Sequence, residues 1–257
     1  MTKEVSRVLP LIATRAARDR CPFAVGRPVR AVWVNELGGV TFRVDSGMGA
    51  GCEFIKVARR GTADFANEAR RLRWAAPYLA VPRVLGVGVD GDWAWLHTDA
   101  LPGLSAVHPR WRASPQVAVP ALGAGLRTLH DSLPVHSCPF DWSTASRLAK
   151  LAPARRAELG DSPPVDRLVV CHGDACSPNT ILDDTGRCCG HVDFGNLGVA
   201  DRWADLAVAT LSLQWNFPDY PGQVRDDEFF AAYGVAPDPA RIDYYRRLWQ
   251  AEDDSSR

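Results

Sequence analysis

Three things are scarce in this sequence. No stretch approaches the ~18 consecutive apolar residues that a bilayer-spanning helix needs, so membrane-spanning helices are excluded. Neither sign of charge is in excess: 30 Lys and Arg balance 30 Asp and Glu over 257 residues. A polyanion-binding footprint is therefore missing, and no nucleic-acid partner is expected. Cysteine is thin as well, seven residues in all, an odd number and too few for a disulfide scaffold in a chain of this length. A cytoplasmic location is the simplest expectation. The first apolar patch, Val8 to Ala13, is short and interrupted by Pro10, which argues against a secretory signal. What remains is an ordinary globular composition, 46% hydrophobic and 23% charged, enough for one or two domains.

The first hundred residues read as strands with one helix. Arg30 to Asn35 and Val40 to Val44 are β-rich runs around Leu37-Gly38-Gly39, the pattern of a hairpin, and a Gly-rich spacer (Gly47 to Gly51) leads into Cys52 to Val57. Between Asp64 and Tyr78, Phe65, Leu72 and Ala76 can share one helical face, with Pro77 as the stop. Strands at Val84 to Val89 and Trp93 to Thr98 flank the turn Asp90-Gly91-Asp92. Beyond Leu101-Pro-Gly103 the character is mainly helical. Helices are predicted at Val117–Leu133, Ala145–Leu159, Trp203–Trp215, Asp226–Tyr233 and Arg241–Gln250, with short buried strands at Leu168–Cys171, Thr180–Leu182 and Cys189–Val192. The composition change sets the expected domains at 1–100 and 101–257.

The informative stretch is His172-Gly-Asp-Ala-Cys-Ser-Pro-Asn179, followed by His191-Val-Asp-Phe-Gly195 and Ala200-Asp-Arg-Trp-Ala-Asp205. Asp174 and Asn179 lie five residues apart in a loop marked by Gly173 and Pro178, and Asp193 follows fourteen residues later at a strand end. Carboxylate and amide oxygens are hard ligands that suit Mg²⁺. A further carboxylate opposite the metal can take the proton of an attacking hydroxyl, which is the division of labour in phosphoryl transfer. That chemistry also asks for a strand Lys on the α- and β-phosphates and a Glu on the next helix to hold it. Lys56 in Phe54-Ile-Lys-Val57 and Glu68, twelve residues on, meet both requirements in order. A phosphate-covering Gly-x-Gly-x-x-Gly is absent, and Gly38-Gly39 fits a bare hairpin turn equally well.

The stretches His172 to Asn179 and Val192 to Ala207 resemble the aminoglycoside phosphotransferases, most closely the 3′-phosphotransferases. The resemblance extends over Phe54 to Val57, Trp95 to Gly103, Leu126 to His130, Cys138 to Phe140 and Tyr244 to Leu248. It implies an α+β, protein-kinase-like two-lobed fold: a small β-rich N-terminal lobe with one helix, and a larger, mainly helical C-terminal lobe. It further implies transfer of the γ-phosphoryl of ATP or GTP to an aminoglycoside hydroxyl. Asp174 would be the catalytic base, Asn179 and Asp193 the Mg²⁺ ligands, Lys56 the phosphate contact and Glu68 its partner. Thr98 to Ala100 would present backbone groups to adenine. Gly173 stands where eukaryotic protein kinases carry Arg, and no long activation segment follows Asp193, so a small-molecule acceptor is favoured.

Other readings compete for the same residues. A streptomycin 3″-phosphotransferase, a kinase of the same fold for another small hydroxyl metabolite, and an inactive nucleotide-binding protein all share the motif. Cys171, His172, Cys176, Cys188, Cys189 and His191 are residue types that zinc favours, although neighbouring Cys188 and Cys189 should face opposite sides of a strand. Asp201 and Asp205 are expected to hold the catalytic loop and cap the next helix. The acidic groups Asp226-Asp-Glu228 and Glu252-Asp-Asp254 fit either solvated helix faces or a receptor for a polycation.

Overall fold

The computed structural model describes residues 27–35, 38–45 and 51–255, with side chains described as far as Glu252. Val8 to Ala13, Cys21, Leu37, most of the Gly47 to Gly51 spacer and the Asp253 and Asp254 side chains lie outside that description. The chain forms two compact units. One holds the described residues up to Ala76 together with Pro82–Ala100, and the other holds Pro77–Val81 together with the described residues from Leu101 onward.

The first unit is a five-stranded antiparallel sheet in the order β1-β2-β3-β5-β4, with strands β1 (Val29–Val34), β2 (Val40–Asp45), β3 (Cys52–Arg59), β4 (Val84–Asp90) and β5 (Trp93–Asp99). Alternation does the work in β2, where Val40, Phe42 and Val44 are buried and the residues between them are not. Ile55 in β3 and Leu96 in β5 continue this core. Helix α1 (Phe65–Ala75) starts where the Asp64 carboxylate accepts from the Asn67 amide at 2.9 Å, an N-cap. Its buried face is Phe65, Glu68, Ala69, Leu72 and Ala75, and Ala76, expected on that face, is exposed one position too late.

The second unit opens with β6 (Leu104–Ser105), α2 (Pro109–Arg112) and α3 (Pro115–Ser132). The single helix expected over Ala145–Leu159 is two, α4 (Thr144–Leu148) and α5 (Pro153–Leu159). Pro153 is the reason: it lacks the N–H that a continuous helix needs, and it sits at the first position of α5, where that donor is not missed. Strands β7 (Leu168–Cys171), β8 (Thr180–Leu182), β9 (Cys188–His191) and β10 (Gly198–Asp201) form two small sheets, β10-β7 and β6-β8-β9. Helices α6 (Trp203–Asn216), α7 (Gly222–Tyr233) and α8 (Pro239–Ser255) complete it.

Every residue of α6 from Trp203 to Leu213 is buried, so this helix is the hub of the unit rather than a surface helix. Around it pack Leu122 and Leu126 of α3, Phe229, Phe230 and Tyr233 of α7, and Tyr245 and Leu248 of α8. α3 and α7 cross closely at Gly123, where a Cβ would lie 2.4 Å from the Phe229 carbonyl oxygen. The short segment Pro77–Val81 joins this unit beside β9. The Ala80 carbonyl accepts the His191 amide at 3.4 Å, and a Cβ on Gly190 (φ 155°) would sit 2.6 Å from the same oxygen. Among the described residues, no helix is long and apolar enough to cross a membrane.

Candidate active site

The loop that carries Asp174 is built from β7 outward. Val169, Val170 and Cys171 are fully buried, which anchors the strand, and the chain then turns at Gly173 with φ 83°. Only glycine fits there: an added Cβ would meet the Asn196 carbonyl oxygen at 2.3 Å. This gives a steric reason for glycine at the position where protein kinases place Arg.

His172 ties the two motif segments together. Its Nδ1 accepts the Asp174 amide at 3.3 Å, which leaves Nε2 to donate to the Val192 carbonyl at 2.9 Å. The Phe194 ring packs edge-on against it, 4.8 Å between centroids. Asn179, in a single 3₁₀ turn (Ser177–Asn179), donates from Nδ2 to both the backbone oxygen and Oδ2 of Asp174, each at 3.0 Å. Those two partners only accept, so the amide orientation is fixed and Asn179 Oδ1 is left as an acceptor. The Val192 amide donates to the Asn179 carbonyl at 2.9 Å, which brings Asp193 next in the chain to this cluster. Asp193 is the one non-glycine residue of those described with positive φ, 69°, a strained conformation of the kind that accumulates at functional sites.

Buried Oδ1 of Asp174 has no hydrogen-bond partner among the described residues. Burial pushes the Asp174 carboxyl above its ordinary range, the Asp193 charge adds to the rise, and Cys176, His172 and Asn179 oppose it. The Cys176 thiol is pushed far up by burial and by the Asp174 charge, so it is no nucleophile. The Asn179 side-chain oxygen, left as an acceptor, and the Asp193 carboxylate are hard oxygen donors of the kind that fits Mg²⁺, while the orphaned Asp174 oxygen is left to meet a hydroxyl.

Behind the loop, Asp205 of α6 accepts the amides of His172 at 2.6 Å and Gly173 at 2.9 Å. Burial alone would raise its carboxyl, but the His130 hydrogen bond and the Gly173 amide outweigh burial and hold it low. Asp201 stands one residue before the N-cap of α6, Arg202, and braces the helix start: its Oδ1 accepts the Trp203 amide at 3.2 Å and its Oδ2 the Asp166 amide at 3.0 Å. The loop-holding and helix-starting tasks expected of this pair are thus divided between them.

In the first unit, Lys56 on β3 and Glu68 on α1 meet as an ion pair of 2.7 Å, with Glu68 buried. Thr98 lies within β5, paired in register with Phe54 and Val84. The Ala100 amide donates to the Cys52 carbonyl at 3.1 Å. Gly38 (φ 77°) and Gly39 close the β1–β2 hairpin on Asn35, whose side-chain oxygen accepts the Gly39 amide at 2.6 Å.

The zinc reading does not assemble. Cys171 donates to the Asp201 carbonyl at 3.4 Å, Cys189 to the Pro102 carbonyl at 3.0 Å, and Cys188 turns instead toward His191 at 3.6 Å. Among the described residues, the one group of three close metal-type ligands is His130, Cys171 and Asp205, and Asp205 there is occupied by backbone amides. Of the acidic groups, Glu252 is bound by Arg147 through Nε at 3.1 Å and Nη2 at 2.6 Å, and Glu228 accepts from Tyr220 at 2.8 Å. Glu252 is therefore a structural anchor for a guanidinium that is 1% exposed.

Sequence reasoning missed the residues behind the loop. His130 lies on the buried face of α3 with Leu126 and Leu129, and its partners are Asp205, 75 residues away, and Tyr233, 103 residues away. The one signal was a histidine on an apolar helical face, which needs partners when buried.

Comparison with known proteins identifies the family. The family model described as "Phosphotransferase enzyme family" matches residues 38–245. An aminoglycoside 3′-phosphotransferase of Streptomyces fradiae is 35% identical over 227 residues, covering 76% of this chain and 84% of the relative. The crystal structure of an aminoglycoside 3′-phosphotransferase of type VIII is 32% identical with a TM-score of 0.75, covering 95% of this chain and 99% of that one. The aminoglycoside (3″)-phosphotransferase Id of Streptomyces rimosus, in complex with ADP and streptomycin, is 26% identical with a TM-score of 0.70, covering 94% and 98%. A β-sheet unit followed by a helical unit is the protein-kinase-like architecture of these enzymes, and the chain belongs to the phosphotransferase enzyme family, among its aminoglycoside phosphotransferases.

Proposed function

We propose that this protein transfers the γ-phosphoryl group of a nucleoside triphosphate, ATP or GTP, to a hydroxyl of an aminoglycoside, the 3′-hydroxyl first among them, and so inactivates the antibiotic. The observation that carries the reading is the loop in which Asn179 clamps Asp174 beside Asp193, in a chain 35% identical to an aminoglycoside 3′-phosphotransferase. In this reading Asp174 is the catalytic residue, orienting the acceptor hydroxyl and taking its proton. Asn179 and Asp193 hold Mg²⁺, which when bound neutralises charge on the phosphates. Lys56, kept in place by Glu68, contacts the α- and β-phosphates, and the backbone around Thr98 and Ala100 contacts adenine. Because the transition state of phosphoryl transfer is loose, positioning and charge neutralisation are what these residues supply.

A streptomycin 3″-kinase is the second reading, favoured by the likeness to the Streptomyces rimosus enzyme. A coupled ADP-release assay with kanamycin, neomycin and streptomycin separates the two. Asp174→Ala should lose nearly all turnover on the accepted drug while nucleotide affinity persists. Wild-type turnover in that variant would remove Asp174 from the role of base, and ADP release with none of the acceptors would favour an inactive nucleotide-binding protein.

A further inference from the structure

The turn that carries Asn179 is held from behind by one serine of α6. Ser177–Asn179 is a single 3₁₀ turn, so its first amide finds no partner inside it. The Asn179 amide closes on the Cys176 carbonyl at 2.9 Å, and Pro178 has no N–H to give. That leaves the amide of Ser177, a residue only 1% exposed, and it donates to Ser212 Oγ at 2.9 Å. The carbonyls of the turn are taken up elsewhere: Ser177 by the Thr180 amide, Pro178 by the Ser105 hydroxyl at 2.8 Å, and Asn179 by the Val192 amide. Of the N–H groups of the turn, the one that reaches a helix of the core is the one that Ser212 receives.

The roles at Ser212 follow by count. Asn216, at the end of the same helix, donates from Nδ2 to the Ser212 carbonyl at 2.9 Å and to Ser212 Oγ at 3.1 Å. A carbonyl can only accept, which fixes the orientation of that side-chain amide. Ser212 Oγ therefore receives two N–H donors, from Ser177 and Asn216, and both its lone pairs are used. Its single proton is left for Ser177 Oγ, at 3.2 Å. Backbone amides, hydroxyls and a carboxamide make up the whole cluster, so no change of charge can rearrange it.

An alanine at position 212 would leave the Ser177 N–H buried without an acceptor, and the turn could recover one only by moving. Any such movement carries Asn179 with it. We propose that Ser212 is a positioning residue for phosphoryl transfer: by receiving the Ser177 amide it holds the Asn179 turn in place, so that Asn179 clamps Asp174 through Nδ2 and keeps Oδ1 available to Mg²⁺. The metal and kinetic consequences rest on the phosphotransferase reading, whereas the hold on the turn does not.

The test compares Ser212→Ala with Asn216→Ala. Both remove hydrogen bonds from one cluster, but only the first orphans the Ser177 amide. In the protein without nucleotide or metal, hydrogen exchange at the Ser177 amide should accelerate at least about tenfold in Ser212→Ala and stay within about twofold of wild type in Asn216→Ala. Mn²⁺ affinity in the presence of ADP, read from the paramagnetic resonance of the free ion, should fall about tenfold in Ser212→Ala, the scale of losing an outer hydrogen-bonding partner of a metal site. The Mg²⁺ concentration for half-maximal ADP release should rise by the same factor, with the aminoglycoside KM within about twofold of wild type. Asn216→Ala should leave both metal readings near wild type. Ser212→Cys, whose sulfur accepts only weakly, should fall between the two, and it carries the comparison if Ser212→Ala does not fold. Wild-type exchange and metal affinity in Ser212→Ala, an equal loss in Asn216→Ala, or a lower urea midpoint in Ser212→Ala with metal affinity unchanged would overturn the proposal. If the wild type phosphorylates no aminoglycoside yet exchange and Mn²⁺ affinity both change in Ser212→Ala as stated, the phosphotransferase reading fails and the role of Ser212 in holding the Asn179 turn stands.

Discussion

Gly173→Ala is the sharpest perturbation of the catalytic loop, because it adds one carbon at a place where two separate costs fall together. With φ at 83°, a residue bearing a Cβ is strained by about 1–2 kcal/mol. The new carbon would also lie 2.3 Å from the Asn196 carbonyl oxygen and 2.6 Å from its carbon. These are backbone atoms, so no rotamer change relieves the overlap, and overpacking of this kind costs about 1–3 kcal/mol. The expected destabilisation is the sum, about 2–5 kcal/mol, less whatever the loop recovers by moving. Movement is itself damaging, since Asp174 is the next residue and a displacement of about 1 Å can cost about a hundredfold in rate. Urea unfolding and ADP-release kinetics should be run beside Gly222→Ala, a control in the same unit whose nearest neighbour is the flexible end of Arg225 at 3.4 Å. The control should stay within about 0.5 kcal/mol of wild type. A Gly173→Ala protein with wild-type kcat and an unchanged urea midpoint would refute the steric account of this loop.

Other expectations concern the ion pairs. Lys56→Met should raise the nucleotide KM at least about tenfold and leave the aminoglycoside KM nearly unchanged, as read in the same kinetic assay. Glu252→Gln should destabilise the protein by about 2–4 kcal/mol in urea, because it strips the carboxylate from the buried Arg147, and combining Arg147→Met with Glu252→Leu should restore most of that loss. The hydrogen bond from Arg27 holds the Glu53 carboxyl at about 2, against the cost of burial and with help from His97. A depressed carboxyl contributes stability that is complete above the unfolded value near 4.5 and is lost as pH falls toward 2. The wild type should therefore lose about 1–2 kcal/mol more than Glu53→Gln over that window in pH-dependent unfolding.

Much of this molecule is legible in its sequence where the cause is local. The strands of the first unit announce themselves through alternation, as in Val40, Phe42 and Val44, and helix α1 through Asp64 and the stop at Pro77. The link between Lys56 and Glu68 is readable because sheet and helix follow one another directly, and the pair meets at 2.7 Å. Misreadings arise where one residue outweighs a pattern: Pro153 divides a stretch whose composition is helical throughout, and the face of α1 closes on Ala75 instead of Ala76. What the sequence hides is pairing across long separations. Nothing near His130 points to Tyr233, and nothing near Arg147 points to Glu252, because those contacts exist only after α3, α6, α7 and α8 have packed.

The placement of Pro77–Val81 has a consequence for the chain as a covalent object. The polypeptide passes between the two units three times, after Ala76, after Val81 and after Ala100, so both units are discontinuous in sequence. A single cleavage cannot release either one whole. A fragment beginning at Leu101 would carry all the residues of the Asp174 loop, yet it would lack the Ala80 carbonyl that receives the His191 amide and the strip of backbone that demands glycine at position 190. The part of the chain that bears the catalytic loop thus borrows five residues from within the span of its neighbour, and the two are stitched rather than merely joined.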